Sequence, residues 1–238
     1  MFSGIDFLGN STLKFQNVSS VPAFTLNTTG GILRYNMTRS GTSVTDTFST
    51  RNGTVVGTAL WSTTLPTSFT SLATSSWGLM SGDINNYITT PSFSISSRNV
   101  SFSCWIYCSG GSNQGDVKWW EVDHSEGPHL YQNKNTNNYA YDYLVTWTMT
   151  PNVWHHVVCM DDYTNLNKIV YVDGSLVNTV SFASNTSFFI TNTSTCNAGR
   201  VGRGLTAHVA PNGYMTDFRI YNRLLSASEI TAIYNKTA

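Results

Sequence analysis

Charge is scarce in this 238-residue chain. Only 11% of residues are Asp, Glu, Lys or Arg, under half the usual quarter, and 13 bases against 13 acids leave no net charge. Without a basic excess there are no counterions to displace from a polynucleotide and no polybasic stretch for an anionic bilayer, so neither partner is expected. No apolar run approaches the roughly 18 residues of a membrane span, so insertion is not expected either. Cysteine is also sparse: Cys104, Cys108, Cys159 and Cys196 follow neither zinc nor redox spacing. Cys104 and Cys108, four apart in a strand-like run, share a face about 13 Å apart and cannot pair while that strand is straight. Other pairings, and four free thiols, stay open. Met1 to Asp6 has neither a basic nor an apolar region, so no secretory leader is expected.

Polarity comes instead from Ser, Thr and Asn, about a third of the chain, and aromatics reach 13%. Thr and aromatics favour strands while Ser, Asn and Gly favour turns, which implies an all-β protein. Residues 1–31 carry few large apolar side chains and read as an extended N-terminal arm or leader strand ending at the turn signal Thr29-Gly30-Gly31. Over 32–238, strand-like runs recur every 8–15 residues, among them Val100 to Tyr107, Val117 to Val122, a long run from Tyr139 to Met149, His155 to Met160 and Lys168 to Val172. Asp173-Gly174 and Asn212-Gly213 are the residue pairs that supply positive φ to tight hairpins. One helix is expected near the C-terminus. Ser226-Ala227-Ser228-Glu229 forms a capping box, and Ile230, Ile233 and Tyr234 follow on one face. Asn-x-Ser/Thr sequons fall at Asn10, Asn17, Asn27, Asn36, Asn52, Asn99, Asn185, Asn192 and Asn235.

The second half carries an ordered series: Trp154-His155-His156-Val157, then Tyr171-Val172-Asp173-Gly174, Gly199-Arg200, and Gly213 through Asp217-Phe218-Arg219-Ile220-Tyr221 to Leu225-Ser226. This series resembles the laminin-G-like, concanavalin A-like jelly-roll family. Ile32 to Tyr35, Thr45-Asp46-Thr47, Asn52-Gly53-Thr54 and Val100 to Tyr107 fit its opening strands and loop. The resemblance implies an antiparallel two-sheet jelly-roll sandwich with one short C-terminal helix, covering 32–238. It also implies a possible Ca2+ site from Asp46, Asn52 and Asp217, weakened because Thr216 stands where many members carry an Asp. No other cofactor is called for.

The residues themselves suggest two functions. One is a non-catalytic carbohydrate-binding, adhesion or structural module in a virion (capsid-associated or fibre) or cell-surface assembly, with glycans or sister subunits as partners. Aromatic faces stack on sugar rings, and amides bond hydroxyls. The candidates are Trp119, Trp120, Asp123, His124, His129, Tyr139, Tyr141 and Tyr143. Tyr139, Tyr141, Tyr143 and Trp147 alternate along what reads as one strand, which fits an open binding face or a buried core face equally. The alternative is a laminarinase-like glycoside hydrolase using Glu121-x-Asp123-x-x-Glu126, whose carboxylates align only if a bulge absorbs one residue. His155 and His156 point to opposite faces, one packed and one exposed. Neither has a zinc ligand at suitable spacing. Asp217 and Arg219 share a strand face and are expected to pair or to tie the helix to the sheet.

Overall fold

A computed structural model of the chain describes residues 28–58, 60–62, 65, 76–79, 85–110, 117–122, 128–133, 136–182, 195–196, 199–201 and 212–235. The proposed arm lies outside these residues, apart from its last turn. In chain order the strands are β1 (Gly31–Ser40), β2 (Ser43–Asp46), β3 (Gly53–Val56), β4 (Leu60–Ser62), β5 (Ser76–Leu79), β6 (Tyr87–Thr90), β7 (Phe93–Ser94), β8 (Val100–Cys108) and β9 (Val117–Val122). They continue with β10 (His129–Gln132), β11 (Asn138–Tyr141), β12 (Val145–Thr148), β13 (Trp154–Asp162), β14 (Asn167–Val172) and β15 (Ser175–Ser181). Last come β16 (Thr195–Cys196), β17 (Gly199–Val201), β18 (Gly213–Tyr221) and the helix α1 (Ala227–Tyr234). This is the antiparallel two-sheet sandwich with one short helix that the strand rhythm implied.

One hydrogen-bonded path, β12-β11-β10-β9-β17-β6-β3-β2-β1-β18-β8-β13-β14-β15, bends over on itself so that its two ends face each other. Side chains from both layers meet between them. Trp120 of β9 stacks on Phe102 of β8 with ring centroids 4.7 Å apart, and Phe218 of β18 packs against Trp120 at 5.8 Å. The strands β8, β13 and β18 are buried on both faces, so nearly every residue along them is covered. In β8, Phe102, Cys104, Ile106 and Cys108 point into the sandwich, while Trp105 points out under the helix. In β13, Val157 and Cys159 face in, and Val158 and Met160 meet Ile230 and Ile233 of α1. Cys104, Cys108 and Cys159 are buried free thiols.

The helix begins where the capping box places it. Ser226 accepts from the Glu229 N–H, and Glu229 reaches back to the Ser226 N–H. Glu229 also takes both Nη atoms of Arg223, at 2.9 and 2.7 Å. Ser226→Ala should cost about 1 kcal/mol by the usual worth of such a cap, read as a lowered denaturant midpoint with unchanged slope.

Asp173 and Gly174, at φ 51° and 77°, turn β14 into β15 as expected. Asn212-Gly213 does not make such a turn. Gly213 is the first residue of β18, paired with Cys108 and Leu79. A Cβ there would lie 1.9 Å from the Tyr107 carbonyl oxygen, so this glycine serves a close backbone approach. The run Tyr139 to Met149 is a hairpin of β11 and β12, not one strand, with Tyr139 opposite Trp147 and Tyr141 opposite Val145. Its turn bonds Leu144 N–H to Tyr141 O at 3.0 Å across Asp142 and Tyr143, at φ 51° and 59°. Two adjacent non-glycine residues in the left-handed region cost about 1–2 kcal/mol each.

Candidate functional site

The hairpin decides which aromatics meet solvent. Tyr139, Tyr141 and Trp147 all point into the sandwich, Tyr141 wholly buried. Tyr139 stacks on Trp147 at 6.0 Å, and Tyr141 packs against Phe102 and Trp120. Trp119 and Trp120, though consecutive, are both core residues. Register accounts for this: Trp120 opposes Leu130 and Lys118 opposes Tyr131, so Trp119 is the extra residue of a bulge. Trp119, Trp120 and Tyr141 are therefore turned away from the binding face expected of them, and Tyr139, though buried, still borders the depression described below. Burial of large rings outcompetes exposure wherever the opposite sheet offers partners. Asp123, His124 and Glu126 lie outside the described residues.

Two of the expected ligand residues, His129 and Tyr143, do come together, on the other side of the same strands. His129 opposes Glu121, and Tyr131 lies in register between Lys118 and Ala140, with Thr146 beyond. The next outer row is Asn133, Asn138 and Thr148, joined by the Asn133 N–H to Asn138 O bond and the Asn138–Thr148 pair. Tyr143, thrown outward by its turn, sets its ring edge-on to His129 at 4.6 Å and to Tyr131 at 4.5 Å. Between these groups lies a depression of about 440 Å³ lined by Tyr131, Asn133, Asn138, Ala140, Tyr143, Thr146 and Thr148, and bordered by Tyr139 and Trp147, which are otherwise buried. Its volume falls in the range typical of small-molecule sites, roughly 300–1,000 Å³. No Asp, Glu, Lys or Arg lines it. Tyr143 is 48% exposed, the one large aromatic of the described residues left this open.

A buried ionic cluster holds the strained turn. Asp142 Oδ1 accepts the His129 N–H at 2.7 Å, and its Oδ2 takes Lys168 Nζ at 2.5 Å. Lys168 Nζ also reaches Asp161 Oδ1 at 2.6 Å, where the Tyr141 hydroxyl donates at 2.8 Å. The cluster spans both layers, so the left-handed pair is fixed from inside the protein. Sequence reasoning missed it because its members are far apart in the chain; a lysine in phase with Val170 and Val172 was the hint.

Other candidates took structural places. Glu121, the first carboxylate of the hydrolase alternative, is buried and paired with Lys118 at 2.6 Å. The three residues expected to hold Ca2+ carry other bonds. Asp217 binds Arg219 through both oxygens and takes Arg34 Nε at 2.8 Å. Asp46 accepts the N–H groups of Arg34, Phe48 and Arg51, and Asn52 Oδ1 accepts the Asp46 N–H. Backbone donors and guanidiniums thus occupy the oxygens a cation would need. The Asp217–Arg219 pairing was expected. It sits at a bulge where Asp217 has φ 50°. His156 is buried and bonded to Ser103 Oγ at 2.8 Å, and His155 is held between Asp173 at 2.7 Å and the Thr150 carbonyl at 3.0 Å. Among the sequons, Asn36, Asn52, Asn99 and Asn235 are described. The Asn99 Nδ2 is bonded to Thr164, and Asn10, Asn17, Asn27, Asn185 and Asn192 fall outside the described residues.

The ionisable groups give a pH signature. Burial pushes the Asp161 carboxyl up to about 6, against the lowering effect of Lys168, and raises Asp142 in the same direction. The folded state then holds protons the unfolded chain lacks, so stability rises as pH falls from above 6 toward 4. For His155 burial opposes the charge, but Asp173 and Thr150 raise its pKa, so its contribution is complete below about 6.5 and lost as pH rises through the folded value. Asp217 and Glu229 act oppositely. Arg219 and Arg34 hold the first down despite burial, and Arg223 the second, so their contributions vanish only below about pH 4. A melting-temperature series should therefore peak between about pH 4.5 and 6 and decline toward pH 8. A maximum at or above pH 7.5 would contradict this.

Comparison with known proteins agrees with the architecture. No curated protein sequence matches the chain. Among solved structures, the binding domain of botulinum neurotoxin serotype C1 superposes with a TM-score of 0.64 at 15% identity, over 89% of this chain and 53% of that one. The receptor-binding domain of botulinum neurotoxin type G gives 0.63 at 14% identity, over 88% and 52%. The chain spans about half the length of these structures, and at such identity the likeness is one of fold. At the level of sequence, residues 81–231 match the family described as the concanavalin A-like lectin/glucanases superfamily. Covering well over half of the chain, this match shows that the protein belongs to that superfamily.

Proposed function

We propose that the protein is a non-catalytic glycan-binding module, and that its site is the outer groove of β10, β11 and β12 beneath Tyr143. The observation that carries this reading is an exposed tyrosine in a left-handed turn, pinned by a buried ion cluster, at the rim of an uncharged groove. Backbone strain persists where surrounding structure over-determines it, and such places are commonly binding sites. A ring on the rim offers a stacking face for the C–H side of a sugar. The side-chain amides of Asn133 and Asn138 are solvent-facing and bonded to nothing within the chain among the described residues. Botulinum neurotoxin D/C binding domains, on this fold but twice as long, are described in complex with rat synaptotagmin II and with SialylT. A lectin-like use of the present chain is consistent with that company.

Stacking of this kind is worth about 1–3 kcal/mol per ring, so single-site affinity is weak and function depends on many copies acting together. A virion or cell-surface assembly would supply them. The test is a glycan array probed with a multivalent form of the protein and with Tyr143→Gly. Glycine suits the turn's positive φ, so this variant keeps or raises the melting temperature while removing the ring. We expect array signal to drop at least tenfold. Undiminished signal from the variant would place recognition elsewhere.

A further inference from the structure

The groove's lining also points to the kind of sugar. Resting on the glycan-binding reading above, we infer that the site selects a sugar bearing an acetamido group over a plain hexose or an acidic sugar. The floor is the cross-strand pair Ala140 and Thr146, flanked on the same rung by Tyr131. It sets the Ala140 methyl beside the methyl and hydroxyl of Thr146, between an aromatic rim at one end and two amides at the other. Hydroxyls of a hexose over Ala140 would face a methyl that bonds nothing, with only the Thr146 hydroxyl beside it, and a polar group set on such a floor gains little. An acetyl methyl fits that floor.

The amide part of the same substituent has one acceptor and one donor. One strand spacing farther, about 7 Å along β10 and β11, stand Asn133 and Asn138, each able to give and take. Thr148, opposite Asn138, adds a hydroxyl at that end. Acidic sugars gain nothing from this lining. Among the described residues the nearest cation, Lys118, stands 5.9 Å from the Tyr143 ring but is bound to Glu121, so the pair offers a carboxylate no unspent positive charge.

The experiment compares matched glycans on one array: terminal N-acetylglucosamine and N-acetylgalactosamine, terminal glucose, galactose and glucosamine, and terminal glucuronic acid. It uses the multivalent protein, Ala140→Val and Asn138→Ala. Ala140→Val raises the floor by two methyls on a strand that favours valine, and circular dichroism checks that both variants remain folded. We expect at least tenfold stronger signal for the acetamido sugars, and at least a tenfold loss of that preference in Ala140→Val. Equal binding of hexose and acetamido sugar, or a preference for glucosamine or glucuronic acid, would overturn the inference while leaving the groove as a glycan site. Silence across the whole array would overturn both.

Discussion

Lys168→Met should destabilise the protein by about 3–5 kcal/mol at pH 7, lowering the melting temperature by roughly 10 °C. Lys168 is wholly buried, and its ammonium is the common partner of Asp142 and Asp161. Methionine fills the same volume, so packing is conserved and the loss is electrostatic: two carboxylates stay inside with no cation between them. Two consequences separate this from a packing defect. Because protonation relieves the stranded charge, the cost should shrink as pH falls from 7 to 5. Because Asp142 holds the Tyr143 turn, the variant should also weaken glycan binding at temperatures where it remains folded. Restoring most of the stability by adding Asp161→Asn would confirm that charge is the cause; equal loss at pH 5 and 7 would refute it.

Asp217→Ala should be as costly, about 3–5 kcal/mol by urea unfolding. Its carboxylate neutralises Arg219, which is wholly buried, and also draws in Arg34 from β1. Arg219 cannot shed its proton as a carboxylate gains one, because a guanidinium stays charged throughout this pH range. The cost should therefore hardly change between pH 5 and 8, unlike that of Lys168→Met. The same pairing predicts that a chelator leaves the melting temperature of the parent protein unchanged. A chelator-induced fall would revive a cation at Asp46, Asn52 and Asp217.

What the sequence disclosed and what it hid divide along physical lines. The Asp173-Gly174 hairpin and the Ser226–Glu229 cap were legible because each is local and uses residue types chosen for one backbone geometry. The Asp142–Tyr143 turn was not, since neither residue is Gly, Asn or Pro. The energy that forces it comes from Lys168, 26 residues away. Missing that turn turned a hairpin into a long strand and set Tyr143 in line with Tyr139 and Tyr141. Period-two alternation was read correctly, but alternation alone does not say which face is wet. The aromatics from Trp119 to Trp147 do fall on the segment β9 to β12 that carries the proposed groove. The choice among its rings depended on a bulge at Trp119 and on the opposite sheet, both invisible from one segment.

Amide chemical-shift mapping tests the central claim most directly. Isotope-labelled protein would be titrated with the glycan giving the strongest array signal. The account predicts shifts concentrated at Tyr131 to Asn133, Asn138 to Ala140 and Tyr143 to Thr148, absent from the helix Ala227–Tyr234 and from the Asp173–Val177 hairpin tip. Saturable shifts centred on the helix-covered face or on that hairpin tip, with the groove unchanged, would contradict it.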